Sequence, residues 1–308
     1  AFCSYIARRV FRILPPYYVT LLLSLVAIAL VPALQPPAGS GTIWDGTTPA
    51  FELGPIASHL LVVHNWSPEW VHRINGPLWS VASEWQIYFF FPLVFLPAWR
   101  RGIVPLLALA VALAYLPLVF LPLHARSAVT WYLLLFALGV VAAGINHSTR
   151  PLETRLRTSV PWGPVAAFLG SFCAVGGVVF ARIWFRRPEV TDVLVGLATA
   201  ALLIHCTGHV AEGRAGAPPR ALRFLGSAVL VRVGHFSYSL YLTHLPIVAI
   251  CHFALLGLGL TPLVHWCVLN VIATGASIAF AFVFYRVVER HFVGSPFRRK
   301  ERLAAQPS

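Results

Sequence analysis

Long apolar segments recur along the whole chain and constrain its fold more than any other feature. A transmembrane helix needs about 20 consecutive, mostly apolar residues. Only 11% of the 308 residues are charged, whereas about 25% are charged in a typical soluble domain. The sequence therefore predicts an all-α fold, a polytopic bundle of transmembrane helices. We expect eight spans, at residues 14–34, 77–98, 103–123, 128–146, 162–184, 190–209, 234–256 and 261–286.

Two stretches of the sequence do not fit this series of spans. Residues 54–65 are apolar but too short to cross a membrane, which predicts a re-entrant or interfacial helix. Residues 298–308 are basic and too short for a domain of their own, so we expect a basic cytoplasmic tail there. Residues 1–297 are predicted to form a single membrane domain.

The basic residues predict how the chain is oriented. The net charge is +13, but the arginines fall in short clusters between apolar segments. The sequence has no basic stripe with interleaved aromatic residues, which argues against nucleic-acid binding. Cytoplasmic loops carry an excess of Arg and Lys, and this places both chain ends in the cytoplasm. The orientation between residues 100 and 190 stays open, because Arg186 and Arg187 would lie outside.

Three arginines form a cluster near the start of the chain. Arg12 lies four residues after Arg8 and three after Arg9, so it shares a helical face with either of them. The planar guanidinium fork matches the geometry of phosphate groups. The alternative is that these charges only set the membrane topology.

A carboxyl group, Glu84, lies inside the apolar segment 77–98. Ionisable groups at membrane depth are costly and mark functional sites, although a buried hydrogen bond between helices is the alternative. Ser80 at i−4 and Tyr88 at i+4 share its helical face. Trp79 and Asn75 lie just before them in the sequence. The segment therefore predicts a polar site within the membrane.

A second polar face lies in the span 234–256. Ser237, Tyr241 and His244 recur at i, i+4 and i+7, which puts them on one helical face. A neutral imidazole acts as a base or donates a hydrogen bond, although a lone membrane histidine also serves purely structural roles. Of the remaining histidines, His59 and His64 flank the short apolar stretch and are predicted to face an outer cavity.

Two further patterns in the sequence concern metal binding and ion pairing. His205 and His209 have a spacing that suits a metal, but no third ligand is evident, so we expect no metal site. Glu289 closes the last span between Arg286 and Arg290, and we expect an ion pair there at the cytoplasmic boundary.

Four elements in chain order resemble the acyltransferase-three family of integral-membrane O-acyltransferases. Residues 9–18, Arg-Val-Phe-Arg-Ile-Leu-Pro-Pro-Tyr-Tyr, form the arginine element and resemble the family's RxxRxxP-x-Y/Y segment. Residues 76–88 form the glutamate element and resemble WSLxxExxxY. Residues 236–244 form the tyrosine element and resemble SYSxYLxH, and residues 289–292 form the terminal element and resemble ErpF.

The resemblance implies transfer of an acyl group, usually acetyl, from cytoplasmic acyl-coenzyme A to a hydroxyl of a carbohydrate or glycosylated acceptor. Arg8, Arg9 and Arg12 would bind the donor's phosphates. No permanently bound cofactor is implied. The location implied is a bacterial cytoplasmic membrane, and the 22 Arg against one Lys fit a GC-rich bacterial genome. The alternative function is a transporter or flippase of a lipid-linked saccharide.

The expected catalytic groups are Glu84, Tyr88, His244 and Trp79, with Tyr88, Trp79 and His244 as oxyanion donors and Glu84 as an orienting carboxylate. The residues expected to line the substrate cavity are His64, Asn75, Ser80, Ser237 and Tyr241.

The resemblance also predicts that part of the family's domain precedes this chain. A complete member has about ten spans, each of about 20 apolar residues. Two of them, including the one with the histidine most often proposed as the base, precede the arginine element. The sequence is therefore expected to be an N-terminally truncated member.

Overall fold

The computed structural model describes residues 2–35, 43–48, 50–184, 186–211 and 219–293, and no strand occurs among them. The predicted tail, residues 298–308, lies outside the described residues. In chain order the helices are α1 Phe2–Leu30, α2 Leu53–Leu60, α3 Leu78–Phe90, α4 Leu96–Arg101, α5 Ile103–Phe120, α6 Pro122–Ala128, α7 Tyr132–His147, α8 Pro151–Ser159, α9 Trp162–Val179, α10 Ala181–Trp184, α11 Pro188–Ala211, α12 Arg220–Leu225, α13 Ala228–His235, α14 Ser237–Leu256 and α15 Pro262–Val287.

The helices confirm the predicted all-α bundle. Seven stretches of the described chain are long and apolar enough to cross a membrane, or eight if the bent pair α6 and α7 counts as one span. Their ranges agree with the predicted spans except at the start. α1 begins at Phe2 rather than at residue 14, because the helix continues through the arginines and through Pro15 and Pro16. The stretch 54–65 overlaps the short helix α2, Leu53–Leu60, and its re-entrant or interfacial position stays a prediction.

The described chain clusters into two compact units, of which the first comprises residues 2–89 and 232–293. Here α14 packs along α15 and also contacts α1. Its core contains fully or nearly fully buried side chains from α1, α3 and α14, such as Tyr17, Leu78 and Leu242. The segment before α3 is fixed to α1 because Tyr18 donates a 2.8 Å hydrogen bond to the backbone oxygen of Leu60.

The second unit comprises residues 90–231. α11 packs against α9 and α7, and α5 packs against α7. A hydrophobic core of residues such as Phe95, Leu106 and Trp131 lies between the helices. Val129 joins α6 to α7 with a φ of 54°, which allows a bend of 47° between them. A β-branched residue with positive φ is strained, and the buried hydrogen bond from Thr130 Oγ1 to Ala114 O, 2.8 Å long, holds the neighbouring turn.

Candidate functional site

The arginine element and the glutamate element are in direct contact within the first unit. The guanidinium carbon of Arg9 lies 4.6 Å from the ring centroid of Tyr88 and 5.4 Å from that of Tyr5. The Tyr88 hydroxyl in turn donates a hydrogen bond to Glu84 Oε1. Cation–π contacts of this kind contribute about 0.5–1 kcal/mol at exposed sites. A basic, an aromatic and an acidic side chain therefore form one polar chain at this site.

Glu84 is exposed although its helix has the composition of a membrane span. A carboxyl group at membrane depth is tolerated where it faces water or a polar partner. Tyr88 provides one partner, and the exposed surface of Glu84 leaves room for another group beside it. The predicted face of Ser80, Glu84 and Tyr88 therefore borders an open space.

The tyrosine element joins the same face from α14. Ser80 Oγ donates a 2.6 Å hydrogen bond to Tyr241 Oη, and Tyr241 Oη donates one of 3.1 Å to Pro77 O. The rings of Tyr241 and His244 are 5.9 Å apart. His244 Nδ1 lies 2.8 Å from Tyr241 O. Because a carbonyl oxygen only accepts, this contact requires a proton on Nδ1, and in that tautomer of the uncharged ring Nε2 is an acceptor.

Two further contacts attach α14 to the remaining elements. Tyr238 donates a 3.0 Å hydrogen bond to Ile13 O in the arginine element. The backbone N–H of Ser239 donates to Glu289 Oε2 at 3.1 Å, and the Ser239 hydroxyl donates to the same oxygen. All four elements therefore meet within the first unit.

Glu289 differs from its prediction. The sequence suggested an ion pair with Arg286 or Arg290, but the carboxyl group is buried and hydrogen-bonded to Ser239, whereas both arginines are exposed. The guanidinium carbon of Arg286 instead lies 5.7 Å from the ring centroid of Phe282. A buried carboxyl group requires hydrogen-bond donors, and the N-terminal turn of α14 supplies them.

Asn75 does not line a cavity, contrary to the prediction. Its side chain is fully buried and its Nδ2 donates to Leu242 O at 3.0 Å and to Ser24 Oγ at 3.2 Å. Leu242 O lacks its usual helical donor because the residue four positions later, Pro246, has no backbone N–H. Asn75 therefore completes the hydrogen bonding of α14 at a break in the helix.

His64 is likewise buried, not exposed to a cavity in the described part of the chain. The side chains of His59 and His64 are both fully buried, and their rings stack with centroids 3.7 Å apart. Tyr17 donates a 2.9 Å hydrogen bond to the backbone oxygen of His59. Burial lowers the pKa of His59 to about 4, and burial together with the charge of His59 lowers the pKa of His64 to about 2. The pair is therefore neutral near pH 7 and packs the segment before α3.

The structure places the other predicted residues as follows. Arg8 and Arg12 are exposed and Arg9 is half-buried. Trp79 is half-buried at the second residue of α3. Ser237 is exposed and its hydroxyl donates to Gly234 O at 3.0 Å.

Tyr5 is a member of the site that the sequence interpretation missed. Its ring meets that of Tyr88 edge-on, with centroids 6.4 Å apart, and lies beside the Arg9 guanidinium. The signal was present in the sequence, because Tyr5 precedes Arg9 by four residues and shares its helical face. Within the described ranges, no group of three or more His, Cys, Asp or Glu side chains is arranged to hold a metal ion.

Comparison with known proteins identifies the family. A model of the acyltransferase-three family, described as an acyltransferase domain, matches residues 2–286. The chain belongs to this family. The apolar helices and this membership make it a membrane protein of the acyltransferase-three family.

One curated relative is Acyltransferase MdmB from Streptomyces mycarofaciens. It is 28% identical over 277 residues, which cover 80% of this chain and 61% of the relative. The chain therefore spans less than two thirds of that relative's length. No solved structure matches this acyltransferase-three chain.

Proposed function

We propose that this chain acts as an integral-membrane O-acyltransferase. It would move an acyl group, with acetyl as the default, from cytoplasmic acyl-coenzyme A to a hydroxyl of a carbohydrate or glycosylated acceptor. The convergence of the four elements carries this proposal, because it joins arginines suited to phosphates with a carboxyl group and an imidazole. The family membership supports the same reaction class.

The arginines at the start of α1 would bind the phosphates of coenzyme A. Arg8 and Arg12 are exposed, so their guanidinium groups are accessible to a ligand. Arg9 lies against the rings of Tyr5 and Tyr88. This contact holds a planar guanidinium in one orientation, which suits bidentate hydrogen bonding to a phosphate group.

The acyl transfer requires a base for the acceptor. The acceptor hydroxyl loses its proton to the base, its oxygen attacks the thioester carbon, and the C–S bond breaks. The thiolate then takes up the proton and leaves as coenzyme A. Within this chain His244 is the candidate base, because the contact of Nδ1 with Tyr241 O leaves Nε2 as an acceptor. A histidine in the family's spans that precede the arginine element is the other candidate.

The oxyanion requires hydrogen-bond donors near the thioester. Trp79 and Tyr88 are the candidate donors in this chain, and the Tyr88 hydroxyl also donates to Glu84. Glu84 would orient the acceptor or the base from its exposed position. We place the phosphate-binding arginines on the cytoplasmic side of a bacterial cytoplasmic membrane, because coenzyme A is cytoplasmic and arginine clusters favour that side.

Binding and turnover of acetyl-coenzyme A test the proposal directly. We expect Arg12→Ala to weaken coenzyme A binding about 10- to 150-fold, since a hydrogen bond to a charged group contributes about 1.5–3 kcal/mol. Glu84→Gln should lower turnover and leave coenzyme A affinity unchanged. Isothermal titration gives the affinity, and release of free thiol in the presence of a panel of glycans gives the turnover.

The matched control is Arg155→Ala, an exposed arginine of α8 in the second unit. It removes the same charge and should leave both measurements unchanged. Turnover is measured with the 308-residue chain and with a form extended at its N-terminus, which separates a base in this chain from one upstream. Equal coenzyme A affinity in wild type and Arg12→Ala would refute the arginine assignment. Folded protein that neither binds coenzyme A nor releases thiol would favour the transporter.

A further inference from the structure

A polar cavity lies at one end of α7, α9 and α11 in the second unit. It has a volume of about 350 Å³ and is lined by Asn146, Arg157, Trp162, His205 and His209, among others. Its position at the ends of membrane-length helices is where lipid head groups lie. None of its described lining residues is an acid, so the cavity favours an anion.

An apolar groove adjoins this cavity along the same helices. It has a volume of about 840 Å³, and its walls include Gly170, Cys173, Val195 and Leu202. The groove shares Gly163, Pro164 and His205 with the polar cavity, so the two spaces meet. Only 6% of the span formed by α9 is buried inside the protein, so this helix is open to the bilayer. The two spaces together fit a ligand with a polar anionic head and an apolar tail.

An unsatisfied acceptor points to the kind of head group. Asn146 is 5% exposed, its Nδ2 donates to Ile204 O and to Thr207, and its Oδ1 has no hydrogen-bond partner among the described residues. Both Asn146 and Gly208 line the cavity. A Cβ on Gly208 would lie 3.3 Å from Asn146 Oδ1, so the glycine leaves this oxygen uncovered. A buried acceptor requires a donor, and a head-group hydroxyl provides one.

The cationic side of the cavity is held in place. Arg157 donates from Nη1 to Asn146 O at 2.9 Å and to Ile145 O at 3.4 Å, which fixes its guanidinium at the end of α7. Arg220 lines the apolar groove from the start of α12. A fixed guanidinium group in the same cavity as an uncovered acceptor suits a phosphate that carries a hydroxylated substituent.

We propose that this composite cavity binds one anionic phospholipid of the phosphatidylglycerol type. The phosphate would lie by Arg157, a glycerol hydroxyl would donate to Asn146 Oδ1, and one acyl chain would follow the groove between α9 and α11. The described lining residues of both spaces belong to the second unit, whereas the four elements belong to the first.

Native mass spectrometry of the purified chain in detergent tests this proposal. The probes are dioleoylphosphatidylglycerol, dioleoylphosphatidylcholine and glycerol 3-phosphate. We expect one phosphatidylglycerol to be retained at a concentration at least about tenfold lower than phosphatidylcholine. Gly170→Leu should abolish this retention, because nothing lies within 4 Å of a Cβ built there and the new side chain fills the groove.

The control is Gly177→Leu on the same helix, where a Cβ also meets no atom within 4 Å but which does not line the groove. It should retain the lipid as wild type does. If Gly170→Leu does not fold, Arg220→Gln, an exposed position, should still lose the preference for phosphatidylglycerol over phosphatidylcholine. Equal retention of both lipids by wild type would overturn the proposal. So would unchanged retention by the folded groove variant, or equally tight binding of glycerol 3-phosphate.

Discussion

The hydrogen bond from Asn75 to Leu242 O predicts a specific energetic coupling between two distant residues. Asn75→Leu keeps the size of the side chain and removes the donor. Leu242 O then becomes a buried acceptor without a partner, because Pro246 has no N–H to offer it. Pro246→Ala restores that N–H within α14. The two substitutions should therefore compensate each other.

The expected magnitude follows from the loss of one buried hydrogen bond. A buried acceptor left unsatisfied costs about 1–3 kcal/mol, so Asn75→Leu should lower the free energy of unfolding by about 2 kcal/mol. In the Pro246→Ala background the same substitution should cost about 1 kcal/mol or less. Packing losses at Pro246, which is buried, cancel in the double-mutant cycle.

The free energy of unfolding is measured for wild type, Asn75→Leu, Pro246→Ala and the double variant. The proteins are unfolded in mixed micelles with increasing denaturing detergent, and tryptophan fluorescence follows the transition. The control is Asn270→Leu, since the exposed Asn270 donates to Trp266 O, a carbonyl whose helical donor is the N–H of residue 270 itself. We expect a change there of about 0.5 kcal/mol or less. Costs for Asn75→Leu and Pro246→Ala that add within about 0.5 kcal/mol would refute the reasoning.

Three further substitutions test other contacts. Ser239→Ala should destabilise the protein by about 1–3 kcal/mol, whereas Ser237→Ala, at an exposed hydroxyl, should change the unfolding free energy by less than about 0.5 kcal/mol. Gly144→Ala should cost about 1–3 kcal/mol in the same assay, because a Cβ there would lie 2.0 Å from a tryptophan ring. His59 and His64 have lowered pKa values, so the unfolded state takes up protons below about pH 6.5 that the folded state does not. Between pH 6.5 and 4, each of the two histidines should lower the free energy of unfolding by up to about 1.4 kcal/mol for every pH unit of acidification. Replacing both histidines by Phe should flatten this slope. An unchanged slope would contradict the assignment.

The spans could be predicted because hydropathy over about 20 residues is a local property of the sequence. The face shared by Ser80, Glu84 and Tyr88 was likewise predictable, since helical spacing alone places them together. The partner of Glu289 was not, because Ser239 lies 50 residues earlier and only the packing of α14 on α15 brings them into contact.

The predictions for Asn75 and His64 differ from the structure for another physical reason. Polar side chains in a membrane protein were expected to face a cavity, yet both are fully buried. The sequence contained a signal for a buried donor such as Asn75, because a proline within a span predicts an unpaired carbonyl four residues earlier. His64 had none, since its stacking on His59 depends on the turn at Val62, whose φ is 58°.

One turn of α14 determines how the four elements are placed relative to one another. Tyr238, Ser239 and Tyr241 follow each other within four residues, and at 3.6 residues per turn they point in three different directions. Tyr238 donates a hydrogen bond to the arginine element, and Ser239 donates one to Glu289. Tyr241 accepts a hydrogen bond from Ser80 of the glutamate element. A rotation of α14 by one residue would break all three contacts together. Substitutions in this turn should therefore affect donor binding and turnover in the same protein, whereas Glu84→Gln should affect turnover alone.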